Sequence, residues 1–283
     1  MSTLPHRRAL KAAIWIAVPL ALGGCHAARG IAATLQSTAK FTQCTPDARI
    51  LCEPGAEAFG RSIAPLLPAA IATVERAHCG RFAAPIRIQV YASRDSFARH
   101  AGTGSAAQAS TMPGVVHLSP RLAATPERQA TILAHELSHL HLFQQVGGMA
   151  AMQLPNWFME GWPTFVSNGG GADGVPTERA VFALVHGRHF TPEDSGSLLF
   201  PKYADDYKLA PEMYYRQASL MVAYMHRRDP AAFQHMIRGV EAGTPFAASV
   251  RKAYGQPLAA LWRDFQSELK THPAAAWPGG QSA

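Results

Sequence analysis

Charge is scarce in this chain. Asp, Glu, Lys and Arg make up 16% of its 283 residues, while 48% are hydrophobic. Disordered chains combine high charge with low hydrophobicity, so that class is excluded, and the length suffices for one sizeable core. Runs of Lys or Arg are also missing. The formal net charge is +7, but Arg7, Arg8 and Lys11 fall within the first 24 residues, where no acid stands; without that segment 23 basic residues face 19 acidic ones. So mild an excess, with no basic stripe, argues against nucleic acid as a partner. Cysteine is sparse too, at Cys25, Cys44, Cys52 and Cys79, with no CxxC or Cys/His spacing to suggest a thiolate metal site. Beyond Cys25, the other three allow one disulfide and one free thiol, with the pairing open. There is no internal repeat, which excludes solenoids and propellers.

The apolar stretch "AAIWIAVPLAL" is interrupted by Pro19 and follows the basic "PHRRALK". That is the make-up of an export signal rather than a spanning helix. It ends in Leu22-Gly23-Gly24-Cys25, which is similar to a bacterial lipobox, so residues 1–24 are expected to be removed and Cys25 lipidated. A lipid there would fix the chain to a membrane surface and leave the rest in an oxidising compartment. His26 after the cysteine, rather than Asp, points to the outer membrane facing the periplasm. Residues 25–45 read as a tether, 46–272 as one domain with a sheet lobe to about 148 and a helical lobe after it, and 273–283 as a tail.

Within the domain, residues 54–79 have helical spacing broken by Pro65 or Pro68. "IRIQVYAS" (86–93) alternates and is rich in β-formers, and "GVVHLSP" (114–120) is a second strand closed by Pro120. "SFARHAG" is a short helix ending at Gly102, and a loop of small residues lies between it and the second strand. The strongest helix follows, with Thr125 as N-cap, Pro126 and Glu127 in the first turn, and Gly147-Gly148 as the stop. Another helix starts near Asn156, and the pattern is helical over 176–188, 212–228, 230–242, 245–254 and 257–270. A small antiparallel sheet followed by helices argues an α+β fold.

The long helix contains "AHELSHLH". At 100° per residue, His135 and His139 project from one face one turn apart, spaced to hold a metal ion between them. Glu136 points to the open side of such an ion, where it can act as a base toward water. Ile132, Leu133, Leu137, Leu140, Phe143 and Val146 cover the other sides, so the helix is expected to be buried. Burying a carboxylate and two imidazoles without partners would cost several kcal/mol, a cost a shared ion offsets. A catalytic zinc needs a third protein ligand. The extended pattern HExxHxxGxxH is absent, since Leu142 and Gln145 occupy its Gly and His positions. "NWFMEG" offers Glu160, 21 positions after His139, beside Trp157, Phe158 and Trp162, which should bury it, and Gly161, which would let helices approach closely. Asp173, Glu178, His186 and His189 are the weaker candidates.

"HELSH" followed by "PNWFMEG" resembles the gluzincin metallopeptidases, and most closely the peptidase-MA-like proteins that carry HELxH and then P-x-W-x-x-E-G. The resemblance spans roughly residues 110 to 270. It implies a zincin-like fold, one Zn²⁺ ion held by His135, His139 and Glu160, Glu136 as general base, and a peptide or protein substrate. It also implies that "GVVHLSP" is the strand along which an extended peptide aligns, and that Tyr215, beside Tyr214 in "MYYRQA", donates to the oxyanion. The chain departs from the family in following Glu160-Gly161 with Trp162-Pro163, where Pro163 could kink the helix. It also has Thr164 where an Asp would orient a zinc-bound histidine. His141 lies off the ligand face and is expected to face solvent or to support the ligands. The activity implied is zinc-dependent peptide hydrolysis at the cell envelope. The alternative is a non-catalytic envelope lipoprotein that keeps the zinc for structure or for binding partner proteins.

Overall fold

The computed structural model describes residues 29, 30, 32–151, 153–197, 201–272 and 277. The export segment, Cys25 and most of residues 273–283 lie outside them. The chain is a mixed α+β protein, with a five-stranded sheet in its first half and helices through its second. The strands are β1 (Thr42–Gln43), β2 (Ile50–Cys52), β3 (Ile88–Val90), β4 (Ala109–Met112) and β5 (Val115–Leu118), in the spatial order β1-β2-β3-β5-β4.

The sheet is not antiparallel throughout. β1 with β2 and β4 with β5 are antiparallel, but β2, β3 and β5 run parallel. Parallel neighbours need a long crossover. Helices α1 (Glu57–Ile63) and α2 (Leu67–Ala77) supply the one between β2 and β3, and α3 (Arg94–Ala101) supplies the one toward β5. Between α1 and α2 a 3₁₀ turn, Ala64–Leu66, accommodates Pro65. Ser93 caps α3 by accepting the Ser96 amide at 3.1 Å, and Gly102, at φ 63°, ends it. β5 has a neighbour on each side, so "GVVHLSP" is an inner strand rather than an edge, and the edge strand beside it is β4, with β1 at the far edge. β4 comes from the small-residue stretch expected to be loop.

Residues 25–45 are not all tether. Thr42 and Gln43 form β1, Phe41 is buried against Tyr91 with ring centroids 5.0 Å apart, and Cys44 is bonded to Cys52. Cys79 is the free, exposed thiol among the described residues. The bonded sulfurs lie against Gly60 of α1, so closely that a Cβ there would collide with both. In the presumed tail, Trp277 is buried against Phe265 and lies beneath the Arg227 guanidinium, 4.2 Å from its ring centroid.

The long helix is α4 (Gln129–Val146). A 3₁₀ turn, Pro126–Arg128, precedes it, and Thr125 makes no side-chain cap. Its hydroxyl is instead engaged with Gln108 and with the carbonyls of Arg121 and Leu122, so the expected N-cap role is not filled. Gly147, at φ 84°, ends the helix as expected. Every residue from Ile132 to Leu142 is buried, so the helix runs through the core. Against it pack α2, α5 (Asn156–Val166) and α8 (Pro230–Glu241), while α6 (Thr177–Val185), α7 (Pro211–Arg228), α9 (Phe246–Tyr254) and α10 (Leu258–Thr271) complete the helical half. Asp229 ends α7 and caps α8, accepting the Ala232 amide at 2.9 Å. Among the described residues no helix is long and apolar enough to cross a membrane.

The disulfide closes a loop with a sequence separation of 8. Replacing Cys44 and Cys52 by Ser should therefore cost about 2.5 kcal/mol through loop-closure entropy of the unfolded chain. Urea unfolding of the double variant against the oxidised parent reads this; equal midpoints would contradict it.

Candidate metal centre

Three side chains meet between α4 and α5. His135 Nε2 and His139 Nε2 are 3.0 Å apart, and Glu160 Oε2 lies 3.5 Å from the first and 3.7 Å from the second. A point equidistant from these three atoms is about 2.0 Å from each, which is the length of a zinc–nitrogen or zinc–carboxylate bond. The donor set and its spacing therefore fit a divalent ion. Asp173, Glu178, His186 and His189 are not in this cluster. Asp173 instead accepts from Arg128 and Thr131.

The helix α5 delivers Glu160. Its Trp157, Phe158 and Trp162 are fully or almost fully buried, which fixes the rotation of the helix. Burial of each such ring contributes about 2–3 kcal/mol. The helix runs through Pro163 without interruption, and the Ser167 hydroxyl satisfies the Pro163 carbonyl at 2.7 Å. Gly161 faces Ala218 of α7. A Cβ at 161 would stand 2.8 Å from the Ala218 carbonyl carbon and 2.9 Å from its Cβ. The two helices touch because position 161 carries only hydrogen.

Burial works against the charge on Glu160, but the two imidazoles beside it outweigh burial and hold the carboxyl down at about 2. Burial likewise opposes protonation of His139, yet the neighbouring Glu160 carboxylate, with the charge of Glu136, raises its pKa. Thr164, in place of the expected Asp, lies with its hydroxyl 3.4 Å from His135 Nδ1. A ring proton donated to that hydroxyl leaves the Nε2 lone pair free to ligate. His139 Nδ1 is buried without a hydrogen-bond partner.

Glu136 is buried beside the cluster. The Thr111 hydroxyl on β4 lies 2.6 Å from its Oε2 and 3.0 Å from its backbone carbonyl. The sheet edge thus holds the acid in place, a role hidden in the sequence because Thr111 stands in a stretch of small residues. Tyr215, on the first turns of α7, stacks on His135 with ring centroids 6.2 Å apart and planes at 20°. Burial, then the charges of Glu160 and Glu136, push its hydroxyl pKa well up, so it remains a donor at neutral pH. Tyr203, which sequence reasoning did not single out, also senses Glu160: burial first and then that charge raise its pKa. The glycine stretch is a packed turn. Gly171, at φ 82°, leaves room for His135 and Tyr215, and Arg216 donates to the carbonyls of Ala172 and Val175.

His141 neither faces solvent nor touches the cluster. It is fully buried on another side of α4, where it packs against His78 and Phe82 and donates from Nε2 to the Gly80 carbonyl at 3.1 Å.

No protein-family model matches this chain, and no curated protein matches it in sequence.

Gly161→Ala should destabilise the fold by about 1–3 kcal/mol, since the added methyl meets helix backbone rather than a flexible side chain. Thermal unfolding reads that, and an unchanged midpoint would remove the close contact from the account. Thr164→Val should weaken metal binding at His135 about 10- to 100-fold. Competition with a chelator of known affinity measures this, and equal affinity would show that the hydroxyl orients nothing.

Proposed function

We propose that this chain is a zinc metallopeptidase of the gluzincin type, similar to the peptidase-MA-like proteins, held at the cell envelope by a lipid on Cys25. The observation that carries this reading is the triangle of His135, His139 and Glu160 donors, spaced for one ion, with Glu136 fixed beside it. The Cys44–Cys52 bond supports an oxidising compartment.

A bound zinc would polarise a carbonyl and lower the pKa of water to about 7. The remaining work falls to the chain. Glu136 takes a proton from the attacking water and gives it to the leaving amine. Thr111 keeps the Glu136 carboxylate from turning away, and its strand, β4, has an outer edge along which an extended peptide can pair. Tyr215 donates to the oxyanion as the tetrahedral centre forms.

The experiment is cleavage of an unfolded protein by the purified chain, with and without chelator, alongside its zinc content. Glu136→Gln should keep the ion and lose about 10²-fold or more in turnover. Tyr215→Phe should lower kcat about 10²-fold with little change in KM. Glu160→Ala should lose both ion and activity. Zinc present with no cleavage of any unfolded protein or peptide would sink the peptidase and leave an envelope lipoprotein that holds its zinc without catalysis.

A further inference from the structure

Behind the ligand helix lies a second cluster that the peptidase reading does not use. His78 follows the end of α2, His141 is on α4, and Glu241 is the last residue of α8. One donor atom from each lies within 4.8 Å of the others. His78 is 4% exposed and His141 is 0% exposed, and their rings are 4.3 Å apart, beside Trp162 and Phe82. The same three side chains each bury one polar atom with no hydrogen-bond partner: His78 Nδ1, His141 Nδ1 and Glu241 Oε1. Most buried polar atoms in folded proteins have a partner, and three orphans within one cluster point to a shared one.

The other nitrogen of each ring is already engaged. His141 Nε2 points at the Gly80 carbonyl, which can only accept, so the ring proton sits on Nε2 and Nδ1 presents a lone pair. His78 Nε2 is 2.8 Å from the Ser138 hydroxyl. Metal-bound histidines are oriented in this way, through a hydrogen bond from the nitrogen that does not ligate. With the Ser138 hydroxyl accepting from His78 Nε2, His78 Nδ1 offers a second lone pair, and with the Glu241 carboxylate this donor set suits a cation.

We propose that His78, His141 and Glu241 form a second site for a divalent transition ion of the zinc class. Two imidazoles and a carboxylate are borderline donors, which favour zinc, cobalt or nickel over calcium or magnesium. A tetrahedral ion with bonds of about 2.1 Å holds its ligands about 3.4 Å apart, so closing the site takes side-chain shifts of no more than about an ångström. The site ties the ends of α2 and α8 to the middle of α4. Its donors are distinct from those of the first: His141, its one ligand on α4, lies on another side of that helix from His135 and His139.

The test is ion stoichiometry. Full-length protein, solubilised in detergent, is stripped with chelator and titrated with Zn²⁺ or Co²⁺. The wild type should bind two ions per chain, and Glu160→Ala should keep one. Glu241→Gln, which retains side-chain size, should weaken one of the two ions at least ten-fold and leave the other. One ion that survives Glu160→Ala and is lost in Glu241→Gln would uphold this site while sinking the first. A single wild-type ion that is lost in Glu160→Ala overturns the proposal, as do two ions that both ignore Glu241→Gln. If Glu241→Gln fails to fold, His78→Gln is titrated in its place, and the same outcomes uphold or overturn the site.

Discussion

The structure depends on one electrostatic constraint: a carboxylate from α5 must be held against two imidazoles from α4 inside an apolar shell. Taking Glu160 out of water is unfavourable, and the imidazoles of His135 and His139 beside it overcome that penalty. Everything nearby serves the approach. The aromatic face of α5 fixes its rotation, and hydrogen at position 161 lets it press on α7. α7 in turn brings Tyr215 over His135. A ligand and a proton donor are therefore positioned by a single helix contact.

Much of the helical half could be read from the chain. His135, His139 and Glu160 were legible because helical spacing and flanking aromatics leave little choice of face, and α5 to α10 begin or end at Pro, Gly or Asp signals. The sheet was harder. β1, β2 and β4 are two, three and four residues long, too short for alternation to stand out. Ala109–Met112 has a small-residue composition that reads as loop, yet it is the strand that reaches Glu136. The parallel pairs were hidden because direction depends on where the crossover helices return the chain, which composition does not encode.

His141 was misread for an instructive reason. A polar residue off the ligand face of a helix ordinarily meets water, but α4 is surrounded on every side. Its partners, His78 and Glu241, are far away in sequence and belong to no spacing motif. Thr164 was recognised as a departure from the resembled family, but its use was not legible: a hydroxyl can also receive a ring proton.

The brevity of β4 has its own consequence. Four residues present only about half of their amides and carbonyls outward, so a partner strand gains roughly four main-chain bonds at about 1 kcal/mol each. That sum falls short of the ordering entropy of a flexible segment. Were an extended guest to pair there, its grip would come mainly from side chains, and discrimination between guests would lie in what flanks the strand rather than along its backbone rail.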